Sequence, residues 1–189
     1  SSQNKTNPNA DCNMQTIVPL TNNKLTLQSK VAGMVSTGYT HIALGASWGW
    51  RTLSPTAPYT EGSDYGDEEW TKAMVFLTDG LNTVQSNSTW HKSTYTAYNY
   101  LIRAQLGTTS ASAAQDEQND RTRTVCGRMR DLGIRIYSIL LEEQAQVAKD
   151  LMRDCASDPS LYFESPSAAE LQPVFQAIAQ DLSNLRLSQ

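Results

Sequence analysis

The carboxylate most suggestively placed in this chain belongs to Asp79, which directly follows the apolar run 73–78 and precedes Gly80. A short apolar run that ends at a turn predicts a strand buried on both faces, which is typical of parallel sheets flanked by helices. In open α/β sheets, ligands bind beyond the carboxyl ends of the strands. The pattern therefore leaves two interpretations of Asp79: an ordinary Asp-Gly turn, or a carboxylate that binds a cation at the sheet edge.

A second pattern is typical of nucleophilic chemistry. Residues 45–49 match G-x-S-x-G with Ser47 at the centre, and Asp79 and His91 follow in the order found in α/β-hydrolases. That motif requires a preceding strand and an oxyanion-hole loop, whereas Ser47 lies in a segment of helical periodicity and the sequence has no His-Gly-Gly-Gly string. We therefore expect a protein that is not an enzyme, with a serine hydrolase as a disfavoured alternative.

Length and charge narrow the possible functions. The chain has 189 residues, about the length of one domain, and a net charge of -4, which gives no electrostatic reason to expect binding to nucleic acid. No apolar run approaches the roughly 20 residues needed to cross a bilayer. Because the chain opens on Ser1 rather than Met, we expect a piece of a longer protein with its targeting segment upstream.

The hydrophobic pattern predicts a single α/β domain over residues 1–189, with a mostly parallel sheet flanked by helices. A polar insertion around 81–115 interrupts it, and its aromatic residues suit either a recognition surface or a loop held by its own rings. Trp48 suits either packing or a partner contact. The predicted strands are 73–78, 134–141 and 161–163, and the predicted helices are 27–34, 40–53, 116–132, 143–154 and 168–187.

Several strings resemble one protein family over nearly the whole chain. The most specific is Trp-Gly-Trp-Arg-x-Leu-Ser-Pro within the run 38–55, followed by the run 73–82. Together the strings resemble the von Willebrand factor A-type domain of TadG-like proteins, which belong to the Tad (tight adherence, Flp-type) pilus assembly system of bacteria. Shorter matches are Asn7–Ala10, Pro19–Thr21, Arg121-Thr122, Gly133–Tyr137, Asp154–Ser157 and Asn184–Leu187.

The resemblance implies a Rossmann-like fold with a metal-ion-dependent adhesion site at the carboxyl edge of the sheet. Family ligands come from a D-x-S-x-S loop, from a Thr and from an Asp, and by resemblance Thr40 and Asp79 occupy the last two places. Such hard oxygen donors suit Mg²⁺, Mn²⁺ or Ca²⁺ and leave a position for a partner's carboxylate. Because nothing before Thr40 matches D-x-S-x-S, we expect a bound cation only where that loop is supplied.

The absent loop implies that the chain is the C-terminal part of an A-type domain and lacks its first strands. We then expect an exposed sheet edge and exposed apolar helix faces, unless the segment 14–18 replaces part of the sheet. The implied partners are the missing N-terminal part of the same domain and other Tad pilus assembly proteins, in a role in assembly or adhesion. A purely structural role without metal is the alternative. Possible contact residues are Trp48, Trp90, Tyr95 and Tyr98.

The cysteines suit the compartment that the resemblance implies: the periplasmic or cell-surface side of a bacterium, with an inner-membrane anchor upstream of this chain. Cys126 lies on the helix before the second predicted strand, and Cys155 ends the helix after it. Two helices that flank one strand can lie on the same sheet face, so we predict a Cys126–Cys155 disulfide. Cys12 would then find its partner in the missing upstream part.

Overall fold

The computed structural model of the protein describes residues 14–36, 38–165 and 167–187. These residues form an α/β fold, and none of the described helices is long and apolar enough to cross a membrane. Asn7–Ala10 and Cys12 lie outside the described residues. The helices are α1 (Lys24–Ala32), α2 (Ile42–Leu53), α3 (Ala111–Asp131), α4 (Gln146–Cys155) and α5 (Leu171–Leu187), and the strands are β1 (Ala73–Thr78), β2 (Arg135–Leu141) and β3 (Tyr162–Ser165).

The strands form one parallel sheet in the order β1-β2-β3, which confirms the predicted sheet. β1 pairs with β2 along its whole length, so that Thr78 lies opposite Leu140. Since the strands are parallel, their carboxyl ends lie at the same edge of the sheet. Asp79 continues from β1 at that edge.

Helices cover both faces of the central strand β2, whose residues 136–140 are all buried. α2, α3 and α4 pack on one face and α5 on the other. Burial on both faces is what a parallel strand at the centre of such a sheet requires. The first face is built from Ala46, Met74, Cys126, Met129, Ile136 and Cys155, and the second from Tyr137, Ile139, Ala156, Leu161 and Ile178.

β1 is less buried than its sequence predicts. Val75 and Leu77 are each 40% exposed, because α5 packs against β2 and β3 and no strand among the described residues pairs with the outer edge of β1. The Arg135 N–H donates to the Lys72 carbonyl (2.9 Å), so by alternation the backbone groups of residues 73, 75 and 77 point to that outer edge. The segment 14–18 forms no strand that could replace the missing neighbour.

α1 begins at Lys24, three residues earlier than predicted. The side chain of Asn23 caps it by accepting a hydrogen bond from the Thr26 N–H (3.1 Å). None of its residues is buried, and Leu25 and Val31 are 78% and 63% exposed. The apolar side chains of this helix are therefore exposed.

α3 begins at residue 111 rather than 116, which shortens the insertion. Ala114 in its first turns is buried against Leu101 and Leu106 of the insertion. The few apolar residues of this small cluster are spread over a polar stretch of sequence. They do not follow the helical periodicity seen in residues 116–132, so the sequence did not predict that the helix begins at residue 111.

A disulfide joins Cys126 of α3 to Cys155 of α4, and both cysteines are fully buried. Beside it, the Arg130 guanidinium donates to the Cys155 carbonyl (3.0 Å) and the Ala156 carbonyl (3.2 Å). Basic side chains near a helix C-terminus satisfy carbonyls that have no intrahelical partner. The two helices are therefore joined covalently and by hydrogen bonds at one place.

α5 is held to the sheet by a cluster of polar groups on β2. The Asp181 carboxylate accepts hydrogen bonds from the Tyr137 hydroxyl (2.6 Å) and the Arg135 guanidinium (2.9 Å). The Tyr137 hydroxyl, and after it Arg135, lowers the pKa of Asp181 below its usual value of 3.8. The ionised carboxylate is thus the form that the fold stabilises.

Replacing both Cys126 and Cys155 by Ala should lower the free energy of unfolding by about 3–4 kcal/mol, because the disulfide closes a loop of about 29 residues in the unfolded chain. Urea unfolding of wild type and variant measures the difference. Adding reductant should destabilise the wild type and leave the variant unchanged. Equal midpoints for wild type and variant without reductant would contradict the prediction.

Asp181→Asn should remove part of the acid sensitivity of the fold. Since the pKa of Asp181 is lowered in the folded state from its usual value of 3.8, its stabilising effect is complete above that unfolded pKa and is lost as the pH falls through the folded pKa. The effect is below about 1 kcal/mol because the ion pair is partly exposed. Urea unfolding at pH 6 and pH 3 should therefore show a smaller loss for Asp181→Asn than for wild type; parallel losses would exclude this role.

Candidate cation site and contact surface

The fold places Thr40 beside the turn formed by Asp79 and Gly80, at the carboxyl edge of the sheet. Thr40 lies two residues before α2, and its Oγ1 lies 3.9 Å from the place that a Cβ on Gly80 would occupy. The Thr78 hydroxyl accepts a hydrogen bond from the Gly80 N–H (3.3 Å) and donates one to the Gly80 carbonyl (3.1 Å). These bonds fix the turn that carries the Asp79 carboxylate.

The two oxygen donors are available to a ligand. Neither the Thr40 hydroxyl nor the Asp79 carboxylate has a hydrogen bond or ion pair within the described residues, and Asp79 is exposed. A carboxylate and a hydroxyl are hard oxygen ligands that suit Mg²⁺, Mn²⁺ or Ca²⁺. They fit the two places that the resemblance assigns to them, but two side chains do not complete a coordination shell. Within residues 14–187 as described, no three His, Cys, Asp or Glu side chains are grouped as metal ligands would be.

A buried polar cluster lies directly behind this edge, centred on Asn82. Its Oδ1 accepts a hydrogen bond from the Ile42 N–H (2.7 Å), and its Nδ2 donates to Asn119 Oδ1 (2.9 Å) and Thr122 Oγ1 (3.3 Å). Gln115 Nε2 donates to the Asn82 carbonyl (2.6 Å). None of these residues was predicted from the sequence to belong to a site; the signal for them is the spacing of residues 115, 119 and 122, which places two amides and a hydroxyl on one face of a helix.

His41, the residue after Thr40, packs inward. Its ring meets the ring of Tyr98 edge to face, with centroids 5.9 Å apart. Burial lowers the pKa of His41, and the nearby Gln118 amide offsets part of this effect. The Arg121 guanidinium also lies over the Tyr98 ring, with its central carbon 5.1 Å from the ring centroid. Tyr98 is therefore half-buried at the base of the insertion, between His41 and Arg121.

The insertion is ordered by its own rings, as one of the two interpretations of its aromatic residues predicted. His91 stacks on Tyr100 with centroids 4.2 Å apart, and Tyr95 meets Tyr100 edge to face at 5.1 Å. Trp90 touches His91 at its edge (5.2 Å) but is 73% exposed, and Tyr95 is 46% exposed. Trp90 and Tyr95 thus combine a fixed position with accessible ring surface.

Trp48 lies apart from those rings, on α2. It is 37% exposed, its ring meets Tyr59 edge to face (6.4 Å), and the Arg51 guanidinium lies 5.6 Å from its centroid. The four residues suggested as partner contacts therefore do not form one cluster. Trp90 and Tyr95 share a cluster, Tyr98 lies at the base of the insertion, and Trp48 is separate.

Ser47 has the geometry of a helix interior. It lies within α2, and its hydroxyl donates to the Ala43 carbonyl one turn earlier (2.8 Å). A serine nucleophile of the hydrolase type instead lies on a sharp turn between a strand and a helix. The G-x-S-x-G pattern at 45–49 is therefore a coincidence of helical sequence.

No protein-family model matches the sequence, and no curated protein matches it. Among solved structures, the fold is similar to the pilus adhesin SpaC from Lactobacillus rhamnosus GG, with a TM-score of 0.54 and 16% identity over 87% of this chain and 22% of that one. Proximal thread matrix protein 1 from the mussel byssus, in a form with a zinc-occupied MIDAS motif, aligns at a TM-score of 0.48 and 17% identity over 85% of this chain and 30% of that one.

The matched part of this chain thus corresponds to less than a third of either structure. At such identities the likeness concerns the fold alone. The parallel sheet with helices on both faces gives the described residues an α/β fold, and the likeness to SpaC concerns this fold.

Proposed function

We propose that this chain is a non-enzymatic protein-binding part of an A-type domain that acts in adhesion or pilus assembly and holds a divalent cation through Thr40 and Asp79. One observation carries the proposal. The Thr40 hydroxyl lies beside the turn that carries Asp79, 39 residues away in sequence, at the carboxyl edge of the sheet, and neither side-chain donor has a partner within the described residues. When bound, the cation would supply a coordination position for a carboxylate of the partner protein.

The remaining ligands would come from the N-terminal part of the same domain. The outer edge of β1 presents the backbone groups of residues 73, 75 and 77 together with the exposed side chains of Val75 and Leu77. A further strand paired there would bury these side chains and end beside Asp79. A D-x-S-x-S loop following that strand would then reach the site, which is why we expect full affinity only when this part is present.

The β3 edge of the sheet differs from the β1 edge, and this difference supports placing the additional strand at β1. β3 is only four residues long, and its Glu164 is bound by Tyr162 (2.9 Å) and Lys149 (3.0 Å). Short, charged strands are how proteins protect an edge that ends a sheet. The apolar edge at β1 has no such protection, as expected where the sheet continues.

The exposed rings of the insertion are the best candidates for contact with a partner protein. Trp90 and Tyr95 are held by His91 and Tyr100, so binding would order few side chains. Trp48 would be a separate, secondary contact. We assign the partner to the Tad pilus assembly system, and the location to the periplasmic or cell-surface side of a bacterium. The resemblance and the buried disulfide support this assignment.

A metal-free structural role is the second candidate. The observation that favours it is the small donor set, since Thr40 and Asp79 supply only two of the ligands that Mg²⁺ or Ca²⁺ requires. In that case the A-type fold would serve assembly through its β1 edge and its insertion, and loss of the Asp79 carboxylate would not alter partner binding.

Asp79→Ala should abolish cation binding. Paramagnetic broadening of amide NMR signals by MnCl₂ measures it: in the wild type, the amides of Thr40, Asp79 and Gly80 should broaden first, with a dissociation constant on the order of 10⁻⁴–10⁻³ M for so few ligands. Asp131→Ala is the matched control, because it removes one carboxylate at the opposite edge of the sheet.

That control should retain the broadening. Equal broadening in Asp79→Ala and wild type would show that Mn²⁺ binds elsewhere. Absence of broadening in the wild type, both in this chain and in the longer protein that contains the upstream strands, would favour the metal-free role.

Trp90→Ala should weaken partner binding roughly tenfold, the effect of losing a well-held aromatic contact. Purified Flp-type pili of the bacterium that encodes this chain, immobilised on a sensor surface, provide the probe. Trp70→Ala is the control. Trp70 is 66% exposed, close to the 73% of Trp90, but it lies before β1, at the amino end of the sheet. Equal losses in the two variants would indicate non-specific adsorption, and no binding by the wild type would refute the pilus assignment.

A further inference from the structure

Asn82 is fully buried and connects three separate parts of the chain. Its carbonyl oxygen and its side chain together take part in hydrogen bonds to the start of α2, at Ile42, and to α3, at Gln115, Asn119 and Thr122. The next residue, Thr83, donates its backbone N–H to the Thr40 carbonyl (3.0 Å). The loop after β1 is therefore fastened at two consecutive residues to the segment that carries Thr40.

The chemistry of this position requires a primary amide. The Ile42 N–H requires an acceptor, which Oδ1 provides, while Asn119 Oδ1 accepts from Nδ2. Thr122 Oγ1 already donates its own proton to the Gln118 carbonyl (2.8 Å), so it can only accept from Nδ2. Asn82 combines one acceptor and two donors on a short side chain, and all of them are used.

The consequence for the candidate site is geometric. Asp79 lies within the turn closed by the Thr78–Gly80 hydrogen bonds, and the chain is held again three residues later by the Asn82 cluster. Thr40 lies two residues before the start of α2, and its carbonyl accepts a hydrogen bond from the Thr83 N–H in the loop that follows β1. The separation of the two oxygen donors therefore depends on bonds that converge on residues 82 and 83.

We propose that Asn82 is the positioning residue of the candidate cation site. It touches no ligand itself; it fixes the spacing between Thr40 and Asp79 by binding the start of α2 and the polar face of α3. This inference rests on the proposed function for its role in cation binding, whereas its geometric part holds without a cation.

The geometric part is tested by amide hydrogen exchange without metal. In Asn82→Ala the Ile42 N–H loses its acceptor, so its faster exchange is expected in any case. The informative amide is Thr83, whose own hydrogen bond to Thr40 is untouched by the substitution. If Asn82 holds the two loops together, the Thr83 amide should exchange about tenfold faster or more, the effect of losing one or two buried hydrogen bonds.

Ser138→Ala is the matched control, since it also removes a buried hydrogen bond, from Ser138 Oγ to the Met152 carbonyl (2.7 Å), on the strand β2. Its Thr83 amide should exchange as in the wild type. Unchanged Thr83 exchange in Asn82→Ala, or equal acceleration in both variants, would overturn the proposal.

The cation part is tested by titrating wild type, Asn82→Ala and Ser138→Ala with MgCl₂ and CaCl₂ in the longer protein that includes the upstream strands. Residues that orient metal ligands typically alter affinity roughly 10–100-fold, and we expect a loss in that range for Mg²⁺ with Asn82→Ala. The loss should be smaller for Ca²⁺, which accepts variable geometry, than for Mg²⁺, which does not.

A role in stability alone would leave the Mg²⁺-to-Ca²⁺ ratio unchanged and would affect Ser138→Ala equally, and this result would overturn the proposal. Absence of any cation binding by the wild type would refute the proposed function instead. The exchange of the Thr83 amide would then still decide whether Asn82 sets the spacing of the loops.

Discussion

The parallel pairing of β1 with β2 is the constraint on which the rest of this structure depends. It places the end of β1 level with the end of β2, so that Asp79 emerges at the carboxyl edge while Lys72 remains bonded to Arg135 at the other. β2 is buried along its length and accepts helices on both faces. Once this pair is formed, the helices that follow each strand have only two faces on which to pack, and the covalent link between α3 and α4 fixes one of them.

α3 shows how one helix can serve two environments. Its C-terminal part buries apolar side chains such as Cys126 and Met129 against the sheet, whereas the turns before it bury Gln118, Asn119 and Thr122 beneath the loops. The buried side chains differ in polarity because one part of the helix packs on the sheet and the other packs on loops. A strand in a sheet has its backbone groups paired, but a loop brings unpaired N–H and carbonyl groups into the interior, and these require polar partners. On α3, Gln115 meets that requirement at the Asn82 carbonyl, while Asn119 and Thr122 hold the Asn82 side chain that accepts from the Ile42 N–H.

The two edges of the sheet differ in a way that bears on function. At β3 the edge strand is short and its carboxylate is paired with cations from α4. At β1 the edge is apolar, and Val75 and Leu77 are each 40% exposed. Exposed apolar surface of this kind marks a place of contact with other protein. The candidate cation site adjoins this edge, so a strand bound at β1 and a cation bound at Asp79 would stabilise each other.

The sequence by itself determined the fold class, the three strands and the pairing of Cys126 with Cys155, because apolar runs, turn residues and helical spacing are local signals. It also identified Thr40 and Asp79, through resemblance to a family rather than through chemistry. It overestimated the burial of Val75 and Leu77, since an apolar run does not reveal whether a neighbouring strand is present. Only the tertiary structure located Asn82 and its partners on α3. Those partners are 33 to 40 positions from Asn82; their spacing places them on one face of a helix, but nothing in the sequence shows that Asn82 is buried against that face. Their role is decided by packing, because only the folded chain brings loop backbone groups inside, where they must be hydrogen-bonded.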